Sequence, residues 1–219
     1  MNRRDFSARL LSAGAAISPW LSLTWASNAS AQGTQPVEGK QYARVDPPVP
    51  QSANGKIEVL EFFSYACPHC NAFEPTLEAW AKKLPPDVAF QRVPVPFLMN
   101  ADNFMRTYYA LDTLGQVEPL QRKIFAAVHI DRLFLDKPAD IAALVAKNGV
   151  DSKKFLDAFN SFSVATSISR AKKAVGLYKI DGVPTMTVQG RYATSPGQAG
   201  GHTETLAVVD YLVERARKG

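Results

Sequence analysis

Cysteine is almost absent from this chain, with two in 219 residues. A scaffold held by a disulfide framework is thereby excluded, since such folds need several bridges. Histidine is nearly as scarce: only His69, His129 and His202 occur. Structural zinc takes about four ligands, and these few cysteines and histidines show no ligand-like spacing, so no metal site is expected. Neither sign of charge dominates, because 25 Lys and Arg against 20 Asp and Glu leave a formal +5. That is too mild for a nucleic-acid surface. No internal repeat and no cofactor box is visible, and beyond the first 31 residues no apolar run approaches the about 20 residues that span a bilayer. What remains is ordinary globular material, 46% hydrophobic and long enough for one sizeable core.

Both cysteines fall in a single run, Cys67-Pro68-His69-Cys70, directly after the apolar stretch Ile57 to Phe63. This places a dithiol at a strand-to-helix turn. Pro68 suits the first helical position, where its fixed φ helps and its missing N–H costs nothing. Cys67 then sits at or near the N-cap, with its sulfur facing the unpaired N–H groups of the first turn and the positive end of the helix dipole. Both favour a thiolate, so a low thiol pKa is expected. His69 adds a donor or a positive charge beside it. Cys70 lies one turn deeper on the same face, within bridging reach but more shielded. The pair divides into an attacking sulfur and a resolving one. Stabilising the thiolate stabilises the reduced form, which makes the couple an oxidant that hands its disulfide to other proteins. A structural bridge, an inert buried pair or half of a zinc site are the competing readings.

More than a hundred residues downstream, Gly182-Val183-Pro184-Thr185-Met186 enters a second strand. Taken with Glu61-Phe62-Phe63-Ser64-Tyr65-Ala66-Cys67-Pro68-His69-Cys70, it resembles the DsbA family of bacterial periplasmic thiol:disulfide oxidants, within the thioredoxin superfamily. The resemblance covers nearly all of residues 40 to 219, with these two motifs as its sharp part. It implies a cis bond from Val183 to Pro184 beside the cysteines, and a Val183 backbone free to pair with a substrate peptide. It also implies reduced, unfolded exported proteins as substrates, a DsbB-like quinone-linked membrane protein as reoxidant, a monomer, and no cofactor beyond the Cys67–Cys70 dithiol.

Two carboxylates stand near the motif. Glu61 interrupts a run that reads as a central strand buried on both faces, on the side shared by Ile57, Val59 and Phe63. Its carboxyl is expected to titrate high and to exchange a proton with Cys70; the alternative is a partly solvated strand end. Glu74, four residues after Cys70, belongs either to the same charge network or to an exposed helix face.

Residues 1–31 read as an export signal. Arg3 and Arg4 give the positive start, Leu10 to Trp25 the apolar stretch, and Ala29-Ser30-Ala31 the small-residue cleavage site; Asn2-Arg3-Arg4-Asp5-Phe6 also resembles a twin-arginine signal. Removing three arginines and one aspartate leaves 22 basic and 19 acidic residues, a formal +3. Either route is expected to lead out of the cytoplasm, to a compartment where disulfides persist, and the resemblance implies the periplasm.

The expected fold is α/β: a thioredoxin fold with a central mixed sheet flanked by helices. Its first part spans 32–98, an inserted helical domain 99–163, and its second part, with the proline loop, 164–219. An edge strand is expected near Tyr42 to Val45, a helix from Cys67 to about Leu84 kinked at Pro75, and a strand at Val88 to Val93 whose pairing ends at Pro94. Apolar stripes such as Phe104, Tyr108 and Leu111, or Leu120, Ile124 and Val128, recur at helical spacing and read as a packed cap; His129 has no expected role. A helix from Val164 to Tyr178 precedes strands at Thr185 to Val188 and Arg191 to Thr194. A last helix from Thr203 to Arg217 is capped by Thr203. The function expected is a thiol:disulfide oxidase. A reductase or isomerase of the same fold is the enzymatic alternative, and a non-catalytic peptide-binding module the other.

Overall fold

A computed structural model describes residues 35–51 and 55–219. The expected export signal lies outside the described residues. The sheet is built around strand β2 (Ile57–Phe63), in which every residue is buried. Its β-branched and aromatic residues fit a strand covered on both faces. On one side β2 pairs in parallel with β3 (Val88–Pro94), reached through helix α1 (Pro68–Ala81); on the other it pairs antiparallel with β4 (Thr185–Val188). Strands β5 (Tyr192–Thr194) and β1 (Ala43–Arg44) complete the order β1-β5-β4-β2-β3.

Four helices, α2 (Ala101–Thr113), α3 (Val117–His129), α4 (Pro138–Lys147) and α5 (Ser152–Phe159), stand between β3 and α6 (Phe162–Leu177). A short α7 (Pro196–Ala199) leads into α8 (His202–Arg217). The alternating faces of β2 feed different cores. Val59 packs with Phe73 and Leu77 of α1 and Val209 and Leu212 of α8. Leu60 and Phe62 pack with Val164 and Ile168 of α6. Phe63 joins a third cluster at the strand's C-terminal end with Tyr65, Cys67, Cys70 and the apolar stripes of α2 to α5. The turn that carries the cysteines therefore sits where the sheet meets the helical insert.

Local departures from the sequence reading have physical causes. Pairing does not end at Pro94: it stands opposite Phe63, and the Val95 N–H still donates to the Phe63 carbonyl at 2.9 Å. Because β3 is an edge strand whose alternate residues face β2, Pro94 turns its missing N–H to the open side. Helix α1 runs through Pro75 as one element and stops at Ala81, with Lys82 as C-cap. Thr203 is not a cap. The chain enters α8 straight from α7 through Gly200 and Gly201, and the helix begins at His202 without a side-chain cap.

Candidate active site

Residues Ser64 to Cys67 form the turn out of β2. The Ser64 hydroxyl accepts from the Ala66 N–H at 3.1 Å, and its carbonyl accepts from the Cys67 N–H at 3.0 Å. Cys67 is the N-cap of α1 in extended conformation, Pro68 follows inside the first turn, and the Cys70 N–H donates to the Cys67 sulfur at 3.4 Å. Sequence and structure agree on this helix start. Both cysteines are free thiols, Cys70 fully buried and Cys67 5% exposed. Pro68 and His69 lie on the exposed flank. From the other end of the chain, the Val183 carbonyl accepts from the Cys67 thiol at 3.4 Å, the Val183–Pro184 bond is cis, and Pro184 is buried.

The two thiols are pushed apart in acidity. Cys67 falls from an ordinary value of 9.0 to about 6, first because the Cys70 thiol donates to its sulfur, with the Cys70 and His69 amides and the His69 charge adding to this against burial. Burial, and after it the bond given to Cys67 and the Glu61 charge, drive Cys70 far up. One sulfur is thus a thiolate at neutral pH and the other holds its proton.

Glu61 is completely buried, and that burial raises its carboxyl to about 8 against the pull of Arg92. Arg92 Nε lies 3.1 Å from Glu61 Oε2, a charge contact without an aligned hydrogen bond. Glu74 is buried too and accepts from Arg92 Nη2 at 2.7 Å. Of its two sequence readings, the charge network is the one realised. Removing one partner would leave a buried charge uncompensated, which makes the network costly to break.

The sequence reading missed four residues here. Arg92 is the one charged residue of β3 and stands across the ladder from Glu61, and that pairing of opposite charges on neighbouring strands was the available signal. Tyr65 and Gln121 bond to each other at 2.6 Å, and His129 Nε2 lies 2.8 Å from the Tyr65 carbonyl. The last two come from α3, so the insert is more than a cap: it reaches the redox turn with polar side chains. A glutamine among helical polar residues reads as solvent-facing in sequence, which hid it.

With this geometry in view, the family model described as DSBA-like thioredoxin domain matches residues 58–204. The chain belongs to the DsbA family. The thiol:disulfide interchange protein DsbA of Pseudomonas aeruginosa is 42% identical over 190 residues, covering 86% of this chain and 89% of that protein. The DsbA of Burkholderia cepacia is 43% identical over 190 residues, with 86% and 90% covered. The crystal structure of Pseudomonas aeruginosa DsbA superposes with a TM-score of 0.81 at 42% identity, over 84% of this chain and 95% of that one. The mixed sheet with α2 to α5 inserted is the thioredoxin fold in its DsbA form. Among the described residues no helix is long and apolar enough to cross a membrane.

Proposed function

We propose that Cys67 is the sulfur through which this thiol:disulfide oxidoreductase passes its disulfide to newly exported proteins, with Cys70 as its partner and Glu61 as the proton exchanger. The carrying observation is the Cys67 sulfur at a helix N-terminus, supported by amide donors and titrating at about 6. In the oxidised protein a substrate thiolate attacks Cys67, the Cys67–Cys70 bond breaks, and Cys70 leaves with the electron pair and takes a proton from Glu61. A second substrate thiolate then attacks the substrate sulfur of the mixed disulfide. Cys67 departs as a thiolate, a good leaving group because its pKa is low. The substrate gains one disulfide and the protein ends as a dithiol.

His69 and Pro68 flank the attack path. The Val183 carbonyl next to Pro184, already within reach of Cys67, gives an extended substrate a backbone partner. The electrons pass between sulfurs alone, so no bound cofactor is needed. Substrates are reduced and unfolded. That reading is supported by apolar side chains exposed near this end of the sheet, Met99 at 82% and Phe134 at 88%, on loops tied together by the Asn100 amide donating to the Leu135 carbonyl. Family resemblance supports a periplasmic location and reoxidation by a DsbB-like membrane protein that delivers electrons to quinone.

The test is oxidation of a reduced two-cysteine peptide by the oxidised protein. Peptide disulfide and two protein thiols are expected to appear together, and Cys67→Ser is expected to abolish both. If the wild type is inert toward the peptide while Cys67 resists alkylation, the chain is a non-catalytic module.

A further inference from the structure

Five side chains, Tyr65, Gln121, Glu74, Arg92 and Glu61, form one continuous polar chain from the redox turn into the helical insert and back to the central strand. Each is at most 7% exposed. The Tyr65 hydroxyl donates to Gln121 Oε1 at 2.6 Å, and Gln121 Nε2 donates to Glu74 Oε2 at 3.3 Å. With Glu74 ionised this orientation satisfies every group, because a carboxylate only accepts and the amide nitrogen faces it. Glu74 Oε1 takes a second donor from Arg92.

Two buried carboxyls share one buried guanidinium. Ionising both would leave an uncompensated negative charge in a poorly solvated place, so one proton stays with the pair at neutral pH. The two sites are unequally supplied. Glu74 has aligned donors on both oxygens, whereas neither Glu61 oxygen has an aligned hydrogen bond and only the charge of Arg92 lies beside it. We infer that Gln121, oriented by Tyr65, is a positioning residue that keeps Glu74 ionised and thereby leaves the shared proton on Glu61. The inference deepens the proton role proposed above and rests on it for its catalytic consequence. Burial raises both carboxyls, Glu61 to about 8 with the Glu74 charge among its causes; at Glu74 the Arg92 charge and the Gln121 bond oppose burial and the Glu78 and Glu118 charges.

The other charged and titratable groups around Glu61 are Cys67 of the turn, Cys70 of α1 and Tyr108 of α2. Glu118 of α3 lies 4.0 Å from Arg92 on the exposed side, and β4 places apolar Met186 opposite Glu61. None of these donates to Glu74 as Gln121 does.

The experiment titrates the two carboxyls by NMR in protein labelled with carbon-13 at the glutamate carboxyl, with Glu61→Gln and Glu74→Gln as assignments. In the wild type, Glu61 is expected to titrate above Glu74. Gln121→Met keeps the shape and removes the donor; the Glu74 midpoint is then expected to rise and the Glu61 midpoint to fall, each by about one pH unit. Tyr65→Phe is expected to move both the same way by less. Unchanged midpoints in Gln121→Met, or a wild type in which Glu74 titrates above Glu61, overturn the inference. Should Gln121→Met fail to fold, Tyr65→Phe decides alone: a falling Glu61 midpoint supports the assignment and an unmoved one overturns it. If the midpoints move as expected while Glu61→Gln oxidises the peptide with a wild-type pH profile, the assignment stands and the relay role of Glu61 is what fails.

Discussion

Cys67 and Cys70 are one residue type three positions apart, yet the fold drives their thiols in opposite directions. The first caps a helix and collects donors; the second is sealed beneath it and gives one. Iodoacetamide labelling of the reduced protein should therefore modify Cys67 with a midpoint near pH 6 and leave Cys70 untouched. A midpoint near that of free cysteine would remove the basis for the leaving-group argument. Glu61 carries the opposite linkage. Its folded value of about 8 lies above the ordinary 4.5, so it costs stability progressively as pH rises from 4.5 to 8. Glu61→Gln lacks that penalty and is expected to gain on the wild type across that window, by about 1–3 kcal/mol at pH 8 and little at pH 4.5. Urea unfolding at the two pH values checks this, and a variant less stable at pH 8 would mean that the Arg92 contact outweighs burial. Cys67, Pro68 and Cys70 were legible in sequence because their arrangement depends on neighbours along the chain, and the burial of Glu61 was legible from the apolar run around it. Arg92 and Gln121 were not, since their partners are set by the strand ladder and by helix packing.

Among the elements, β2 and α1 carry the site, and their limits follow from short-range signals: an apolar run, a turn, then proline at the helix start. The helices of the insert were legible from their stripes, but which end of α3 meets the Tyr65 carbonyl depends on tertiary packing alone. Gly190 shows a tighter constraint. It has φ +61 in the β4–β5 turn, its carbonyl accepts from the Val49 N–H, and a Cβ there would overlap the Val49 carbonyl and the Gln51 side chain. Gly190→Ala is expected to cost about 1–3 kcal/mol in urea unfolding without altering Cys67 reactivity. The loops after β3 and α3 test the substrate surface. Exchanging Met99 and Phe134 for serine should raise KM for a reduced unfolded protein several-fold and leave the redox equilibrium unchanged; an unaltered KM would place the binding surface elsewhere.

At the scale of the whole molecule, the thioredoxin order was legible in the succession of strands and helices, and the two motifs that pointed to the candidate site lie together in the fold. The remaining property, the direction of electron flow, is a difference between two states of the entire fold. The Cys67 thiolate stabilises the folded reduced protein: its value of about 6 lies below the unfolded 9.0, so the contribution is complete above pH 9 and is lost as pH falls through 6. At pH 7, allowing for solvent screening at a partly shielded sulfur, it amounts to about 1 kcal/mol. The reduced form should therefore gain stability relative to the oxidised form from pH 5 to pH 8. The most direct test of disulfide donation is the equilibrium of the Cys67–Cys70 couple against mixtures of reduced and oxidised glutathione at pH 7, read by trapping free thiols. A couple more oxidising than glutathione is expected; one as reducing as thioredoxin would contradict donation and make the protein a reductase.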